Sequence, residues 1–275
     1  MPEVETTRRH LQTAVLSRAF TGVQVSHDRT VRHNASYEEV VGRLTGRTVE
    51  SVGRRGKFLL FELDDAFVMV AHLGMSGRFS VDEPTDKRLP HTHFVATMDN
   101  RVELRFIDPR TFGFVAVYDE DELTHSGLNR LGPDAWESPP SVGALLESLQ
   151  GRTAPIKALL LDQRLMAGLG NIYADEALHR ARISPLTPGG RLRRAELQRL
   201  LDAVAVVLQD AIERGGTTLE DLAYLLPDGR AGENLERLRV YARAGEPCLA
   251  CGSEIQKTVV RARSTHYCAV CQPDV

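Results

Sequence analysis

The sequence predicts a multidomain α+β protein in which a β-rich first half precedes a helical second half and a small cysteine-bound element. Three observations support this division. Short runs of strand-forming residues fill the first half, apolar residues recur at helical spacing from about Val142, and all four cysteines lie between Cys248 and Cys271. We place the domains at 1–130, 131–240 and 241–275, with the proline-containing stretch Leu131–Pro140 as the linker between the halves.

The first half is predicted to contain two helices and a series of short strands. The helices lie near Val4–Ala14 and near Tyr37–Leu44, and the second follows the capping stretch Asn34–Ser36. β-Branched and aromatic residues recur at short intervals, which favours a β-sandwich. The predicted strands are Lys57–Leu63, Phe67–Leu73, His93–Met98, Val102–Phe106 and Gly113–Tyr118.

The second half shows helical periodicity. Apolar residues repeat at i, i+3 and i+4 in three segments, which predicts amphipathic helices. These segments are Pro155–Leu161, Asn171–Ala181 and Leu192–Glu213.

The composition excludes some function classes. The chain has 275 residues, of which 42% are hydrophobic and 26% are charged, and no apolar run approaches the length of a membrane span. The formal net charge is -3, so overall charge does not indicate a nucleic-acid binder. Basic residues nevertheless predominate between Arg237 and Tyr267. That segment is either a phosphate-binding face or a solvated surface.

The cysteines form two Cys-x2-Cys pairs, Cys248 with Cys251 and Cys268 with Cys271. Two such pairs at this distance are typical of a four-thiolate zinc site. The alternative is two disulfides, which need an oxidising compartment, whereas Met1–Glu5 lacks the basic and apolar regions of a secretion signal. We therefore expect a cytoplasmic protein with one structural Zn²⁺, because four cysteine ligands leave no open position for catalysis.

Two glycine-flanked loops, His72–Gly77 and Asp108–Gly113, follow predicted strands and contain Met75, Arg110 and Phe112. Methionine and phenylalanine are more often core residues. Apolar side chains beside a guanidinium also suit a protein that fills a vacated base stack in DNA.

Two further segments contain candidate phosphate ligands. Asn171 follows two glycines at the start of a predicted helix, where it can cap the helix or donate its amide to a phosphate. Arg263 lies between the cysteine pairs, on what a zinc ribbon makes a β-hairpin. Each signal is weak alone, since a plain capped helix is the better explanation of the first and an exposed turn is the alternative for the second.

Taken together, these features resemble the formamidopyrimidine-DNA glycosylase (Fpg) family of bifunctional base-excision repair enzymes, nearly from end to end. The resemblance implies a β-sandwich domain with an N-terminal helix, then a helical domain with a helix–two-turn–helix element and a zinc finger, with DNA in the cleft between them. The motifs that carry the resemblance are Pro2–Arg9, Arg55–Lys57, His72–Gly77, Asp108–Gly113, Gly168–Ala177, Gly215–Thr218 and the cysteine pairs.

The resemblance also implies a mechanism. In this family the N-terminal proline, freed by removal of Met1, attacks C1′ of the damaged nucleoside, so Pro2 is the expected nucleophile. An α-amino group has a pKa of about 8, roughly two units below that of lysine, so more of it is neutral and nucleophilic at neutral pH. Glu3 is expected to act as a general acid/base, and Lys57 to contact phosphate and take part in proton transfer. Arg263 is expected to assist the later elimination step.

The remaining expected site residues contact DNA. Asn171 and Arg263 would grip the phosphates that flank the flipped nucleotide, and Met75, Arg110 and Phe112 would fill the space it leaves. His91, Arg110 and Arg152 match DNA-contact positions of the family, although a plain surface histidine is an alternative for His91. The expected partners are damaged duplex DNA and one zinc ion, with no membrane and with the protein as a monomer.

The sequence departs from the family pattern at its start. The family begins Met-Pro-Glu-Leu-Pro-Glu-Val-Glu-Thr, whereas this chain begins Met1-Pro2-Glu3-Val4-Glu5-Thr6 and lacks three residues. Pro2 and Glu3 therefore align with the second Pro-Glu of the family, a displacement of about 4.5 Å along a helix. Either the true start lies three codons upstream, or Pro2 serves as the nucleophile in a shorter chain.

Smaller departures lie further along. The family usually has an aromatic pair where this chain has Glu233-Asn234, so the resemblance does not indicate which lesion this protein prefers. Ala242 and Ala262 stand where glycine is common, and we expect these positions to need only backbone angles that alanine tolerates.

The sequence is compatible with three functions. The first is a DNA glycosylase with AP-lyase activity on oxidised purines, namely 8-oxoguanine and formamidopyrimidines. The second is a damaged-DNA-binding relative that has lost its nucleophile, and the N-terminus distinguishes these two. The third is a zinc-ribbon scaffold in transcription or translation, which leaves the N-terminal motifs unexplained.

Overall fold

A computed structural model describes residues 1–219 and 222–273, and the chain divides into two compact units. The unit that we call the sandwich unit comprises Pro2–Asn129 and Arg214–Leu235. The second, the helical unit, comprises Met1, Arg130–Glu213 and Glu236–Val275. Neither unit is one continuous stretch of chain, and the division at 130 and 240 stays a prediction.

The sandwich unit is built on two four-stranded antiparallel sheets, with strand orders β1-β6-β7-β5 and β2-β3-β4-β8. Large aromatic side chains on the inner faces, among them Phe20, Phe61 and Phe94, are fully buried in one apolar cluster. The strands are β1 Phe20–Val25, β2 Val49–Arg55, β3 Phe58–Leu63, β4 Val68–His72, β5 Arg78–Asp82, β6 Thr92–Met98, β7 Glu103–Ile107 and β8 Phe114–Tyr118.

Three α-helices in the described part of this unit flank the sheets. Helix α1, Pro2–Val15, buries Leu11 and Val15 in the sandwich core. Helix α2, Tyr37–Leu44, begins after Ser36, whose hydroxyl accepts the N–H of Glu39 as an N-cap. Helix α3, Glu120–His125, begins with a capping box of Asp119 and Glu122, so acidic side chains stabilise the start of this helix.

The helical unit contains α4 Val142–Leu149, α5 Ile156–Leu160, α6 Asn171–Ala181 and α7 Arg194–Glu213. Its apolar cluster is formed mainly by α6 and α7, with Leu178, Leu200 and Leu208 fully buried. Within residues 1–219 and 222–273, none of the helices combines the length and apolar character that crossing a bilayer requires.

The last part of the helical unit is a β-hairpin of β9, Gln256–Val260, and β10, Arg263–Tyr267, beside a small core of Val240, Ile255 and buried cysteines. Arg261 and Ala262 form its turn with φ values of 45° and 61°. Ala242 also has a positive φ, of 63°. The expectation that Ala242 and Ala262 need only backbone angles that alanine tolerates is therefore wrong, because both occupy the left-handed region that favours glycine.

Candidate functional site

The residues at the start of α1 are the predicted nucleophile and acid. Met1 and Pro2 are buried and Glu3 is half-buried. The nitrogen of Pro2 is part of an amide bond in the full chain, so it becomes a secondary amine only when Met1 is removed. The Glu3 carboxylate accepts a hydrogen bond from the N–H of Thr217, with Oε1 at 3.2 Å from the nitrogen. Thr217 belongs to the returning segment of the same unit, Arg214–Leu235.

The returning segment approaches α1 closely because it has glycine at the contact. Gly216 has a φ of +83°, and a Cβ there would lie 3.3 Å from the Cα of Glu3. The hydroxyl of Tyr224 donates to the carbonyls of Glu3 and Gly215, at 3.3 and 3.1 Å. Burial raises the pKa of Tyr224, and the nearby Glu3 charge raises it further. Tyr224 therefore remains a neutral donor beside Glu3.

Asn234, at the point where the family usually has an aromatic pair, supports this segment from within. It is 5% exposed, and its side chain donates to the Thr217 hydroxyl at 2.9 Å. Its N–H donates to the carbonyl of Gly216 at 3.1 Å. Asn234 therefore stabilises the loop that contacts Glu3.

Glu5 anchors the beginning of α1 on strand β2. Its carboxylate is buried and pairs at 3.3 Å with Arg54, whose side chain is fully buried. Burial raises the pKa of Glu5, but hydrogen bonds from Arg8 and Arg9 outweigh burial and lower it. The acidic and basic residues of the Pro2–Arg9 motif thus fix the helix that carries Glu3.

Lys57 and His72 lie close together at one end of the β2-β3-β4 strands. Lys57 precedes β3, and His72 ends β4, opposite Phe58. Burial, with the charge of Lys57 as the second cause, lowers the pKa of His72 to about 4. Neutral His72 accepts the N–H of Gly74 through Nδ1 at 3.0 Å. His72 therefore caps the loop that carries Met75.

The two glycine-flanked loops present their apolar residues to solvent. Met75 is 55% exposed and Phe112 is 44% exposed, so neither is a core residue. The guanidinium carbon of Arg110 lies 5.4 Å from the centre of the Phe112 ring. A Cβ on Gly74 would lie only 2.5 Å from the nitrogen of Gly113, so the loops touch through their backbones.

His91 is exposed beside the second of these loops. Its φ of 64° is in the left-handed region, and its carbonyl accepts the N–H of Asp108 at 3.0 Å. Its ring centre lies 6.0 Å from that of His93, whose pKa is lowered by burial. Of this pair, His91 is therefore the more exposed histidine.

In the helical unit, α6 holds the hairpin that carries Arg263. Gly170 is the N-cap of α6 and Asn171 is its first residue, so Asn171 does not cap the helix. Its amide instead donates to the carbonyl of Ser264 at 3.0 Å. Arg263 is exposed at the start of β10. The sequence motifs thus meet at the tip of the hairpin.

A buried ion pair below the hairpin was not anticipated from the sequence. Lys157 on α5 and Asp175 on α6 both have fully buried side chains, with Nζ and Oδ1 2.6 Å apart. Lys157 also donates to the Ser264 carbonyl at 2.6 Å, and Asp175 accepts the N–H of His266 at 2.9 Å. The pair therefore connects α5 and α6 to strand β10.

Glu176 and Arg152 each accept backbone N–H groups in the helical unit, Glu176 through its carboxylate and Arg152 through its carbonyl. Glu176 is 5% exposed, and its carboxylate accepts the N–H groups of Arg239, Val240 and Tyr241 at 2.9–3.0 Å. Burial raises its pKa, although these hydrogen bonds oppose the increase. Arg152 is exposed, and its carbonyl accepts the N–H of Gly190 at 2.8 Å.

The four cysteines come together at the other end of the hairpin. Their sulfur atoms lie within 4.8 Å of one another, with Cys251 and Cys268 at 3.5 Å and Cys248 and Cys271 at 3.9 Å. These thiols are free, and tetrahedral thiolates around zinc would lie about 3.8 Å apart given a Zn–S bond of about 2.3 Å. The donor set therefore fits a zinc ion.

Comparison with known proteins identifies the family. Residues 1–115 match the formamidopyrimidine-DNA glycosylase N-terminal domain, and residues 131–222 match the formamidopyrimidine-DNA glycosylase H2TH domain. Residues 245–273 match the zinc finger found in FPG and IleRS.

Full-length relatives agree with these matches. A formamidopyrimidine-DNA glycosylase from Thermus thermophilus is 45% identical over 274 residues, covering 99% of this chain and 97% of the relative. A Lactococcus lactis Fpg in complex with DNA containing an abasic site has a TM-score of 0.92 at 34% identity, covering 100% of this chain and 99% of that one. The same enzyme with Fapy-dG-containing DNA has a TM-score of 0.90 at 34% identity, with 99% of each chain covered.

These matches confirm the predicted fold class, a β-sandwich with an N-terminal helix followed by a helix–two-turn–helix region and a four-cysteine finger. The chain belongs to the formamidopyrimidine-DNA glycosylase family.

Proposed function

We propose that this protein is a bifunctional DNA glycosylase and AP lyase of base-excision repair that acts as a monomer on oxidised purines in duplex DNA. The observation that carries the proposal is the exposure of Met75, Arg110 and Phe112 on two touching loops in a chain of this family. Extruding a damaged nucleotide costs a few kcal/mol of stacking and pairing. Apolar side chains that fill the gap offset part of that cost, and Arg110 can hydrogen-bond the base left opposite.

The proposed chemistry uses the start of α1. The secondary amine of Pro2, once Met1 is removed, attacks C1′, and the damaged base leaves as the N-glycosidic bond breaks. Glu3 exchanges a proton with the sugar as its ring opens. The resulting iminium draws electrons from the sugar, so the 3′ phosphate and then the 5′ phosphate leave by β- and δ-elimination. The hydrogen bond from Thr217 and the contact with Tyr224 support an ordered Glu3 carboxylate.

Phosphate binding is assigned to exposed or hydrogen-bonding residues of both units. Asn171 donates to the carbonyl of Ser264, the neighbour of Arg263 near the hairpin tip, and an amide and a guanidinium there suit adjacent phosphates. Lys57 supplies a charge near neutral His72, and we assign it to phosphate contact and proton transfer at the lesion. His91 and Arg152 are exposed and serve as further DNA contacts.

The cysteine cluster is proposed to hold one structural Zn²⁺ through Cys248, Cys251, Cys268 and Cys271. Because small metal sites supply much of their own folding energy, zinc would fix the hairpin that carries Arg263. Cys268→Ser is expected to release the metal and abolish or greatly weaken DNA binding, while the sandwich unit stays folded. Metal content by mass spectrometry, circular dichroism and DNA binding measure the three effects. Full DNA binding by a verified zinc-free variant would contradict this role.

The substrate class is proposed from the relatives. The Lactococcus lactis enzyme is bound to DNA containing an abasic site in one solved complex and Fapy-dG in another. An abasic site is the product of base removal and the substrate of strand cleavage, whereas Fapy-dG is an opened purine. The Fapy-dG complex supports formamidopyrimidines as bases that this protein removes, and a solved MutM complex with DNA containing carbocyclic 8-oxo-G supports 8-oxoguanine.

Borohydride trapping tests the enzyme proposal directly, because reduction of an iminium leaves a stable covalent link. We expect the protein to be trapped on duplex DNA containing 8-oxoguanine or an abasic site. Intact mass establishes whether Met1 has been removed, and peptide mapping identifies the amine. The control is the same chain extended by Pro-Glu-Leu after its initiator Met.

Each outcome of that experiment has a distinct meaning. If the chain that begins Met1-Pro2 is trapped through the amine of Pro2, the assignment of Pro2 as the nucleophile is supported. Trapping of the extended chain alone overturns Pro2 as the nucleophile and keeps the enzyme class. If neither form is trapped, the enzyme proposal fails, and specific binding to lesion DNA without cleavage would support the damaged-DNA-binding alternative.

A further inference from the structure

Two charged side chains, Asp108 and Arg32, hold the turn that carries Phe112. Asp108 belongs to one of the family motifs quoted above, whereas Arg32 belongs to none of them. Asp108, in the sandwich unit, is 1% exposed. Arg32 follows the short 3₁₀ turn Asp28–Val31 of the same unit and is exposed on one side. They approach the peptide group between Phe112 and Gly113 from opposite ends.

Asp108 binds the N–H side of the turn and links it to the neighbouring loop. Oδ2 accepts the N–H of Gly113 at 2.6 Å, and Oδ1 accepts the N–H of Arg110 at 3.3 Å. Oδ1 also accepts the hydroxyl of Ser76 at 2.6 Å, and Ser76 is 3% exposed. Because Ser76 follows Met75, one buried carboxylate fixes both loops that carry the exposed apolar residues.

Arg32 binds the carbonyl side of the same turn. Nη2 donates to the carbonyl of Phe112 at 3.0 Å, and Nη1 donates to the carbonyl of Gly113 at 2.7 Å. Nη1 also donates to the carbonyl of Arg29 at 2.8 Å, which fixes the guanidinium to its own turn. A planar group with several N–H donors is needed for this pattern, and lysine does not provide it.

The Phe112–Gly113 peptide is therefore held at both ends, since its oxygen accepts from Arg32 and its N–H donates to Asp108. The direction of this peptide plane sets the direction in which the Phe112 side chain leaves the backbone. We infer that Arg32 and Asp108 are positioning residues, which hold Phe112 ready to enter the base stack before DNA binds. This inference rests on the proposed function, in which Phe112 fills the vacated space. Ordering the loop in advance avoids an entropy cost at the moment of binding.

Arg32→Met is the decisive substitution, with Arg29→Met as the matched control. Both remove one positive charge from exposed positions of the same short segment, but the Arg29 side chain makes no hydrogen bond to the Phe112 loop among the contacts of the described residues. Arg32→Lys keeps the charge and loses the planar donors. Two reactions are compared under single-turnover conditions: excision of 8-oxoguanine from duplex DNA, and cleavage at a pre-formed abasic site.

We expect Arg32→Met and Arg32→Lys to slow excision by at least about tenfold, since misplacement of about 1 Å can cost about a hundredfold in rate. Cleavage at the abasic site should change by less than about twofold, because no base has to be extruded there. The double variant Arg32→Met/Phe112→Ala should be no slower than Phe112→Ala alone. Additive losses would overturn the inference.

A different outcome would assign Arg32 to DNA itself. If Arg32→Met weakened both reactions equally, and lowered the slope of log affinity against log salt by about one, Arg32 would be a phosphate contact instead. Arg29→Met shows how much both reactions and the salt dependence change when a nearby positive charge is removed whose side chain binds no carbonyl of the Phe112 loop.

Hydrogen exchange tests the positioning without catalysis. In the free protein, Arg32→Met and Asp108→Asn should each accelerate exchange of the Gly113 amide, whereas Arg29→Met should not. Unchanged exchange in both variants would overturn the inference even if the parent enzyme is active. A parent that removes no oxidised purine would contradict the proposed function instead, and the exchange data would still decide whether Arg32 and Asp108 order the turn.

Discussion

Replacing Lys157 by methionine removes a fully buried cation and keeps most of its aliphatic volume. The cation lies 2.6 Å from Asp175, where Coulomb attraction is about 6 kcal/mol at an effective dielectric constant of about 20. Burial opposes this attraction and lowers the pKa of Lys157. Because the change leaves the fully buried Asp175 charge uncompensated, the free energy of unfolding should fall by about 3–5 kcal/mol. The Ser264 carbonyl would keep its hydrogen bond from Asn171.

A second substitution separates the charge from the shape of the site. Asp175→Asn removes the negative charge and keeps a side-chain oxygen that can accept the N–H of His266. The double variant Lys157→Met/Asp175→Asn should therefore recover at least about 2 kcal/mol relative to Lys157→Met alone, since a neutral pair has no uncompensated charge. Asp175→Asn alone should destabilise, because it leaves Lys157 buried without its partner.

Urea unfolding followed by tryptophan fluorescence is a suitable assay. The chain has one tryptophan, Trp136, which packs against the apolar cluster of the helical unit and donates to Gln209 at 3.0 Å. Its emission therefore reports on the unit that contains the ion pair. A loss below about 1 kcal/mol for Lys157→Met, or no recovery in the double variant, would refute the claim that uncompensated charge dominates the cost.

Three further predictions concern the loops and the hairpin turn. The pKa of His72 is about 4 in the folded protein and 6.5 ordinarily, so the unfolded chain binds the proton first as pH falls, and stability is lost between those values. The variant His72→Asn can still accept the N–H of Gly74 but does not titrate in this range. In urea titrations it should therefore reduce the stability loss between pH 7 and pH 4.5 by about 2–3 kcal/mol. Phe112→Ala should slow 8-oxoguanine excision far more than abasic-site cleavage and cost less than about 1 kcal/mol of stability, and a loss of about 3–5 kcal/mol would identify a core residue. Ala262→Gly should stabilise the protein by about 1 kcal/mol in thermal unfolding, because its φ is 61°, and an unchanged melting temperature would count against strain there.

The strands that could be predicted from sequence are mostly those with a neighbour on each side. β3, β4, β6 and β7 are the inner strands of the two sheets and are rich in apolar residues, although β7 also contains Glu103 and Arg105. The three strands that were not predicted, β1, β2 and β5, are all edge strands. An edge strand needs fewer apolar residues, and Val49–Arg55 has glycine and two arginines among its seven residues.

Some residues of the candidate site could also be predicted from the sequence, and others could not. Cysteine spacing predicted the sulfur cluster because the chemistry of the ligands constrains their separation along the chain. Lys157 and Asp175 gave no comparable signal, since eighteen positions separate them and each resembles an ordinary charged residue until packing removes the water. Arg32 has the same difficulty, because its partners are carbonyl groups, which every residue has.

The discontinuity of the sandwich unit has a consequence for synthesis of the protein. Pro2–Asn129 leaves the ribosome long before Arg214–Leu235, which belongs to the same compact unit. A nascent chain that ends before residue 214 can form both sheets, but Glu3 still lacks the N–H of Thr217 and the contact with Tyr224. Completion of the proposed N-terminal site around Glu3 is thus delayed until most of the polypeptide has been translated. Fragments released by premature termination would therefore carry the sandwich without the contacts that order Glu3.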